Sequence, residues 1–325
     1  MMSEHVAVVL CNLGGPDSLE AVRPFLFNLF SDPDIFRLPL GWLTQRPFAS
    51  LIARRRAPEA AAGYAAIGGK SPILEFTCAQ AEALQQALKG RGNYDVHVCM
   101  RYWHPLTSEV VTRLKEKNFT RVLLLPLYPQ YSITTTGSAY NEFQRQCDRQ
   151  HYHPVITLVR QWYDQPDYQG AIVETLLAEG KKFPDPDPAR IELLFSAHGL
   201  PQKIVNGGDP YERQIRATYE AVSAQLNWPH TTLCYQSRVG PLEWLRPYTD
   251  DVIRDKAKAG VKQMLVYPIA FVSDHVETLF ELGITYAELA RAQGITHYRV
   301  VPALNTHPRF IAALKTLVLN AMPAP

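Results

Sequence analysis

"ELLFSAHGLP" (residues 192–201) is the stretch on which the fold turns. Leu193, Leu194, Phe195 and the small Ser196 make a short apolar run closed by Gly199 and Pro201, the pattern of a buried strand in a parallel sheet. An earlier stretch, "VVLCNLGGP" (8–16), overlays "LLFSAHGLP" (193–201), with Gly14 on Gly199 and Pro16 on Pro201. Two more pairs follow in the same order. "VCMRYWHP" (98–105) matches "LCYQSRVGP" (233–241), which is one residue longer, and "VLLLPLYPQYS" (122–132) matches "MLVYPIAFVS" (264–273) with one gap. The chain reads as one module written twice.

Each copy predicts four buried strands. They are Val6–Leu10, Val96–Cys99, Val122–Leu125 and Val155–Leu158, then Ile191–Phe195, Thr231–Cys234, Met264–Tyr267 and Tyr298–Val301. Amphipathic stretches such as Ile73–Lys89, Thr107–Lys117, Tyr211–Leu226 and His275–Ala292 lie between them. Strand and helix in alternation give α/β architecture with parallel sheets covered on both faces. The expectation is two pseudo-symmetric, doubly wound Rossmann-like domains with parallel four-stranded sheets, over residues 1–160 and 161–325. The Pro-rich "KKFPDPDPAR" (181–190) cannot continue a helix and lies in the connecting region. Ligands of such sheets bind beyond the carboxyl ends of the strands, which places the expected active-site cleft between the two halves.

Composition narrows the function. The 325 residues are 46% hydrophobic and 20% charged, ordinary for a globular protein. A net charge of +2, with no basic run interleaved with aromatics, gives no reason to expect nucleic acid. No apolar stretch reaches the roughly 18 residues of a membrane-spanning helix. The N-terminal segment reads as strand and turn rather than a signal peptide, so the expected compartment is the cytoplasm. The five cysteines include no C-x-x-C pair, and Cys11, Cys99 and Cys234 fall in predicted strands. They read as small buried hydrophobes under reducing conditions.

Where the second copy has His198, the first has Leu13, so the turn itself does not require an imidazole. A lone histidine at a strand end is commonly a hydrogen-bonded structural residue, and that reading stays open beside a functional one. The second rim also carries acids. In "AFVSDHVETLFELG" (270–283), Asp274, Glu277 and Glu281 are spaced i, i+3, i+7, one face of an α-helix. A solvated helix N-terminus accounts for Asp274 and less well for the other two. Imidazole beside carboxylate suits proton transfer near neutral pH or a transient divalent ion such as Fe(II), and lacks the short regular spacing of a permanent zinc site. Tyr102, Trp103, Tyr128, Tyr131, Trp244 and Phe271 lie at or just past strand ends. Singly each can cap the core; as a set they suit a large flat apolar ligand.

Taken together, "LLFSAHGLP", "QSRVGPLEWL" and "FVSDHVETL" resemble the ferrochelatases, which insert ferrous iron into a porphyrin to make haem. "NLGGP", "YAAIGGKSPI", "RYWHP" and "YPQYSITTTGS" extend the resemblance nearly end to end. It implies that His198 is the active-site histidine and Glu277 the opposing acid, both also able to meet the metal. Asp274 and Glu281 then form a proton or metal relay. Leu13, Tyr102, Tyr131, Trp244 and Phe271 match porphyrin-lining positions; Ser71, Arg101 and the Arg54–Arg55–Arg56 run match positions near the porphyrin carboxylates or entrance. "NLGGP" and "YPQYSITTTGS" resemble the protoporphyrin IX branch rather than the coproporphyrin branch. Whether His198 takes a pyrrole proton or first ligates iron stays open, as do a chelatase for another metal and a non-catalytic carrier of metal or tetrapyrrole.

Two further expectations come with the resemblance and a third from composition. Some ferrochelatases hold an iron–sulfur cluster through C-terminal cysteines and one in the Tyr-Pro-Gln-Tyr-Ser segment. Here no cysteine follows Cys234 and Ile133 occupies the internal position, so no cluster and no other permanent cofactor is expected. The C-terminal helix around Thr306–Ala321 can pack back on the first half. Finally, residues 25–56, "FLFNLFSDPDIFRLPLGWLTQRPFASLIARRR", read either as a pocket-covering helix or as an apolar lip. As a lip, with Phe36, Leu40 and Trp42 at its tip, they would touch the cytoplasmic membrane surface reversibly.

Overall fold

The computed structural model describes residues 5–36 and 40–322, Trp42 by its backbone alone. Among these residues, eight strands form two parallel sheets. The first holds β1 (His5–Asn12), β2 (Asn93–Met100), β3 (Arg121–Pro126) and β4 (Val155–Leu158) in the order β2-β1-β3-β4. The second holds β5 (Glu192–His198), β6 (Thr231–Gln236), β7 (Gln263–Tyr267) and β8 (His297–Val300) in the order β6-β5-β7-β8. The fold is α/β with the same doubly wound topology in each half.

The repeat holds at the level of register. Val8 pairs with Val96 and Leu123, and its counterpart Leu193 pairs with Thr231 and Leu265. Cys11 opposes Cys99 as Ser196 opposes Cys234. A one-residue slip would turn each strand's side chains to the opposite face, so matched register means matched cores. On one face of the first sheet Val9, Cys11, Val122 and Leu124 pack with Val110, Val111, Leu114 and Phe143. The second sheet places Leu194, Cys234, Met264 and Val266 against Ile253, Leu282 and Ala290.

Both halves also follow their third strand with a π-helical turn that runs into an α-helix. In the first half it spans Ile133–Gly137 before the helix Ser138–Arg149; in the second, Glu277–Thr285 before the helix Tyr286–Ala292. The stretch expected as one α-helix over 275–292 is therefore π-helical through its acidic part, and a π segment within a helix commonly marks a functional site. The expected strand over 191–195 reaches further as well, and His198 is the last residue of β5 rather than part of the turn.

Contacts divide the chain into two units. One runs to Trp162 and includes the residues from Ile311 onward; the other is Tyr163–Phe310. The C-terminal helix Pro308–Ala321 thus belongs mainly to the first unit, where the Tyr94 hydroxyl donates to the Met322 carbonyl at 2.7 Å. The lip region holds the helices Val22–Phe30 and Gly41–Ala66; Leu40 caps the start of the second, and Leu43 in its first turn and Leu51 farther along it are exposed. No helix among the described residues is long and apolar enough to cross a membrane.

Candidate active site

Strand β5 delivers His198 to the carboxyl edge of the second sheet, and the residue after it explains how the rim closes around it. A Cβ at Gly199 would lie 2.9 Å from the Gln236 carbonyl and 3.3 Å from the Trp244 ring. Glycine there admits both, and its N–H donates to that same carbonyl at 2.9 Å. The Tyr211 hydroxyl donates to the His198 carbonyl at 2.9 Å, fixing the strand end from the other side.

The His198 Nδ1 lies 2.8 Å from Glu277 Oε2, with the two side chains 36% and 21% exposed. Nε2 has no protein partner among the described residues. Burial pulls the His198 pKa down, but the adjacent Glu277 charge, its hydrogen bond and the charge of Glu281 outweigh it, so the net shift is upward. Glu277 shows the complement. Burial raises it, while His198 and then His275 hold the carboxyl well below the usual range. The His275 Nε2 stands 3.8 Å from Glu277 Oε1, and its Nδ1 is 3.1 Å from the Ser273 carbonyl. Phe271 stands edge-on to both imidazoles, 4.4 Å from His275 and 6.3 Å from His198 between ring centroids.

Glu281 lies one π turn beyond Glu277. Burial and the Glu277 charge raise its pKa, against donors that favour the ionised form. Those donors are the Ser237 N–H at 2.8 Å, the Ser237 hydroxyl, Gln236 Nε2 at 3.2 Å and the Tyr286 hydroxyl at 3.1 Å. Gln236 is itself held by the buried Ser196, whose Oγ donates to Gln236 Oε1 at 2.8 Å. The Ser of the Ser-Ala-His stretch thus supports the acids behind the histidine.

Asp274 does not join them, which corrects the one-face reading of the acids. It precedes the π-helix, and its carboxylate accepts from Thr278 Oγ1 at 2.8 Å, Asn305 Nδ2 at 2.7 Å and the Ala303 N–H at 3.2 Å. These bonds pin the 301–305 loop to the helix start. Glu277 and Glu281, four residues apart, share a face of the helix, whereas Asp274 lies before its first turn, so helical periodicity does not extend to it. Leu282 then points into the core, fully buried. Among the described residues no group of three or more His, Cys, Asp and Glu side chains is arranged to hold a metal ion.

The profile of the family described as Ferrochelatase matches residues 5–322. The chain belongs to the ferrochelatase family. The ferrochelatase of Cyanothece sp. (strain PCC 7425) is 48% identical over 326 residues, covering 99% of this chain and 84% of that protein. That of Synechocystis sp. (strain PCC 6803) is 47% identical over 329 residues, with coverage of 99% and 84%. Among solved structures, SirB from Bacillus subtilis with Fe3+ aligns at a TM-score of 0.59 and 11% identity, covering 98% of this chain and 96% of its own. The sirohydrochlorin chelatase SirB of B. subtilis subspecies spizizenii in complex with cobalt gives 0.57 and 9%, with coverage of 98% and 95%. These two share the fold.

The remaining ferrochelatase-matched positions fall into two groups. Trp244, Phe271, Leu13 and Tyr131 are half-buried at their rims; Trp244 Nε1 donates to the Val239 carbonyl at 3.1 Å, and the Arg160 guanidinium lies 4.1 Å from the Tyr131 ring centre. Ser71, Tyr102 and Arg101 are instead occupied by the protein. Ser71 is buried against Gly15, where a Cβ would come within 2.5 Å of its side chain. Tyr102 is 1% exposed, and its hydroxyl donates to Asp32 Oδ2 at 2.6 Å. Arg101 pairs with the same carboxylate at 3.0 Å and donates through Nε to Ser138 Oγ at 2.8 Å. Asp32, Gln236, Ser237 and His275 are the polar residues that the sequence pattern did not single out.

Proposed function

We propose that this chain inserts ferrous iron into protoporphyrin to form haem, with His198 as proton acceptor. Each turnover exchanges two pyrrole N–H protons for Fe2+, so the site must accept protons one after another. The observation that carries this reading is the asymmetry of His198: Nδ1 is engaged by Glu277 at 2.8 Å, and Nε2, on a partly exposed ring, has no protein partner among the described residues. A neutral imidazole held in that tautomer accepts at Nε2, and the resulting imidazolium is stabilised by Glu277. From Glu277 the polar path continues through the Ser237 hydroxyl to Glu281 and the Tyr286 hydroxyl. Glu281, whose pKa is raised, is suited to hold the proton in passing. Asp274 stands outside this path. Trp244 and Phe271, at the same rim as His198, supply apolar surface for the macrocycle, and no permanent cofactor or iron–sulfur cluster takes part.

Purified protein given Fe(II) and protoporphyrin without oxygen should convert many equivalents of porphyrin to haem, followed by the change in porphyrin absorbance. Conversion that stops at one equivalent would favour a carrier, and turnover with cobalt alone would favour another chelatase.

The lip belongs to the same proposal, as a reversible contact with the cytoplasmic membrane surface. Leu40 is 66%, Leu43 58% and Leu51 66% exposed, with Arg54 and Arg55 exposed just beyond them. Apolar burial together with attraction to anionic lipid gives surface binding. Of the tip residues expected from sequence, Leu40 shows this exposure, Phe36 is half-buried, and the Trp42 side chain lies outside the described residues. Changing Leu40, Leu43 and Leu51 together to serine should weaken co-sedimentation with anionic vesicles at least about tenfold, since partial burial of three leucines exceeds about 1.4 kcal/mol. Unchanged co-sedimentation would remove the lip from the account.

A further inference from the structure

Among the described residues, Ser237 is the one that hydrogen-bonds to both Glu277 and Glu281. Its N–H donates to Glu281 Oε1 at 2.8 Å, and its hydroxyl lies 3.0 Å from Glu277 Oε2 while also meeting Glu281 Oε2. Its backbone is left-handed, with φ at +64°. A serine in that region is uncommon and costs conformational energy, which persists only where the surroundings determine it. Here the left-handed turn directs the N–H and the hydroxyl of one residue to the same acid. A single hydroxyl carries one proton, so it cannot donate to two carboxylates at once; it alternates between them and keeps both within reach.

We propose that Ser237 is a positioning residue: its hydroxyl clips Glu277 to Glu281 and so presents Glu277 to the His198 imidazole. Glu277 Oε2 is the oxygen that meets both the hydroxyl and Nδ1 of His198. Without the hydroxyl, two carboxylates one π turn apart lose the donor between them, and repulsion is free to turn Glu277 away from the ring. This inference rests on the reading of His198 and Glu277 as the proton-handling pair.

Ser237→Gly isolates the hydroxyl, because glycine keeps the N–H to Glu281 and adopts the left-handed backbone without strain. Ser237→Ala removes the same hydroxyl and retains the strain. Both should lose about tenfold in kcat, with porphyrin KM unchanged, as expected for the loss of one hydrogen bond to a charged group. The thermal midpoint should be unchanged or higher in the glycine variant and not in the alanine variant, which separates positioning from folding. Proton NMR of protein with 15N-labelled histidine gives a readout independent of turnover. The low-field Nδ1 proton of His198 should broaden or move upfield in Ser237→Gly. If kcat stays within twofold of the parent and the resonance is unmoved, the clip is refuted. If the parent inserts no iron but the resonance responds, the proposed function fails and the clip stands.

Discussion

His198→Ala is expected to give a folded protein that still binds porphyrin and inserts iron about 10²–10⁴ times more slowly, the usual contribution of a positioned acid–base group. Folding should survive because the ring sits at the end of β5 with 36% of its side chain exposed, so its removal opens no closed cavity. Glu277 loses its principal counter-charge and keeps the Ser237 hydroxyl and the nearby His275. A purely structural histidine would give the opposite result: a stability loss of about 1–3 kcal/mol from broken hydrogen bonds, with turnover retained in the folded fraction. Leu13, which takes the equivalent place in the first half, supplies the control. Leu13→Ala should alter porphyrin affinity and leave proton transfer intact, as fluorescence binding beside absorbance-monitored insertion will show.

Glu277→Gln is expected to cost less, about 10–10²-fold in kcat. The amide keeps the shape and can still accept from Nδ1 through its oxygen, but it neither carries a charge nor takes up the proton. A hydrogen bond to a charged acceptor contributes about 1.5–3 kcal/mol, which converts to roughly that factor. Porphyrin binding measured by fluorescence should be unchanged, because in the proposed role Glu277 holds His198 from its Nδ1 side and leaves Nε2 for the substrate. A loss of binding equal to the loss of rate would instead assign Glu277 to holding the macrocycle.

The two parallel four-stranded sheets are legible because the turn residues recur, Gly14 with Gly199 and Pro16 with Pro201, each after an apolar run; strand order and register come from the structure. The histidine stood out by comparison of the two copies, Leu13 against His198. The acids were legible only in part. Spacing alone does not mark where the helix begins, so the sequence groups Asp274 with Glu277 and Glu281 although it lies before the first turn and is bonded to the 301–305 loop. Asp32 lies seventy positions from Tyr102, and nothing local announces a carboxylate that occupies both Tyr102 and Arg101. Ser237 was hidden for a different reason. Its importance follows from a backbone angle, and a serine in "QSRVGP" carries no mark of one.

The central claim is that Glu277 raises the basicity of His198 so that the ring can take pyrrole protons, and the pH dependence of kcat/KM tests its sign. A protonated imidazole cannot accept, so insertion should rise with pH through the pKa of the pair. With the His198 pKa raised, that limb should lie above the ordinary histidine value of about 6.5. In Glu277→Gln the larger raising charge is gone while that of Glu281 and the burial that lowers the pKa remain, so the limb should move to lower pH even as the maximal rate falls. Parent and Glu277→Gln measured side by side over the same pH range should show that displacement. Superimposable profiles, or a limb that moves to higher pH in the variant, would contradict the account.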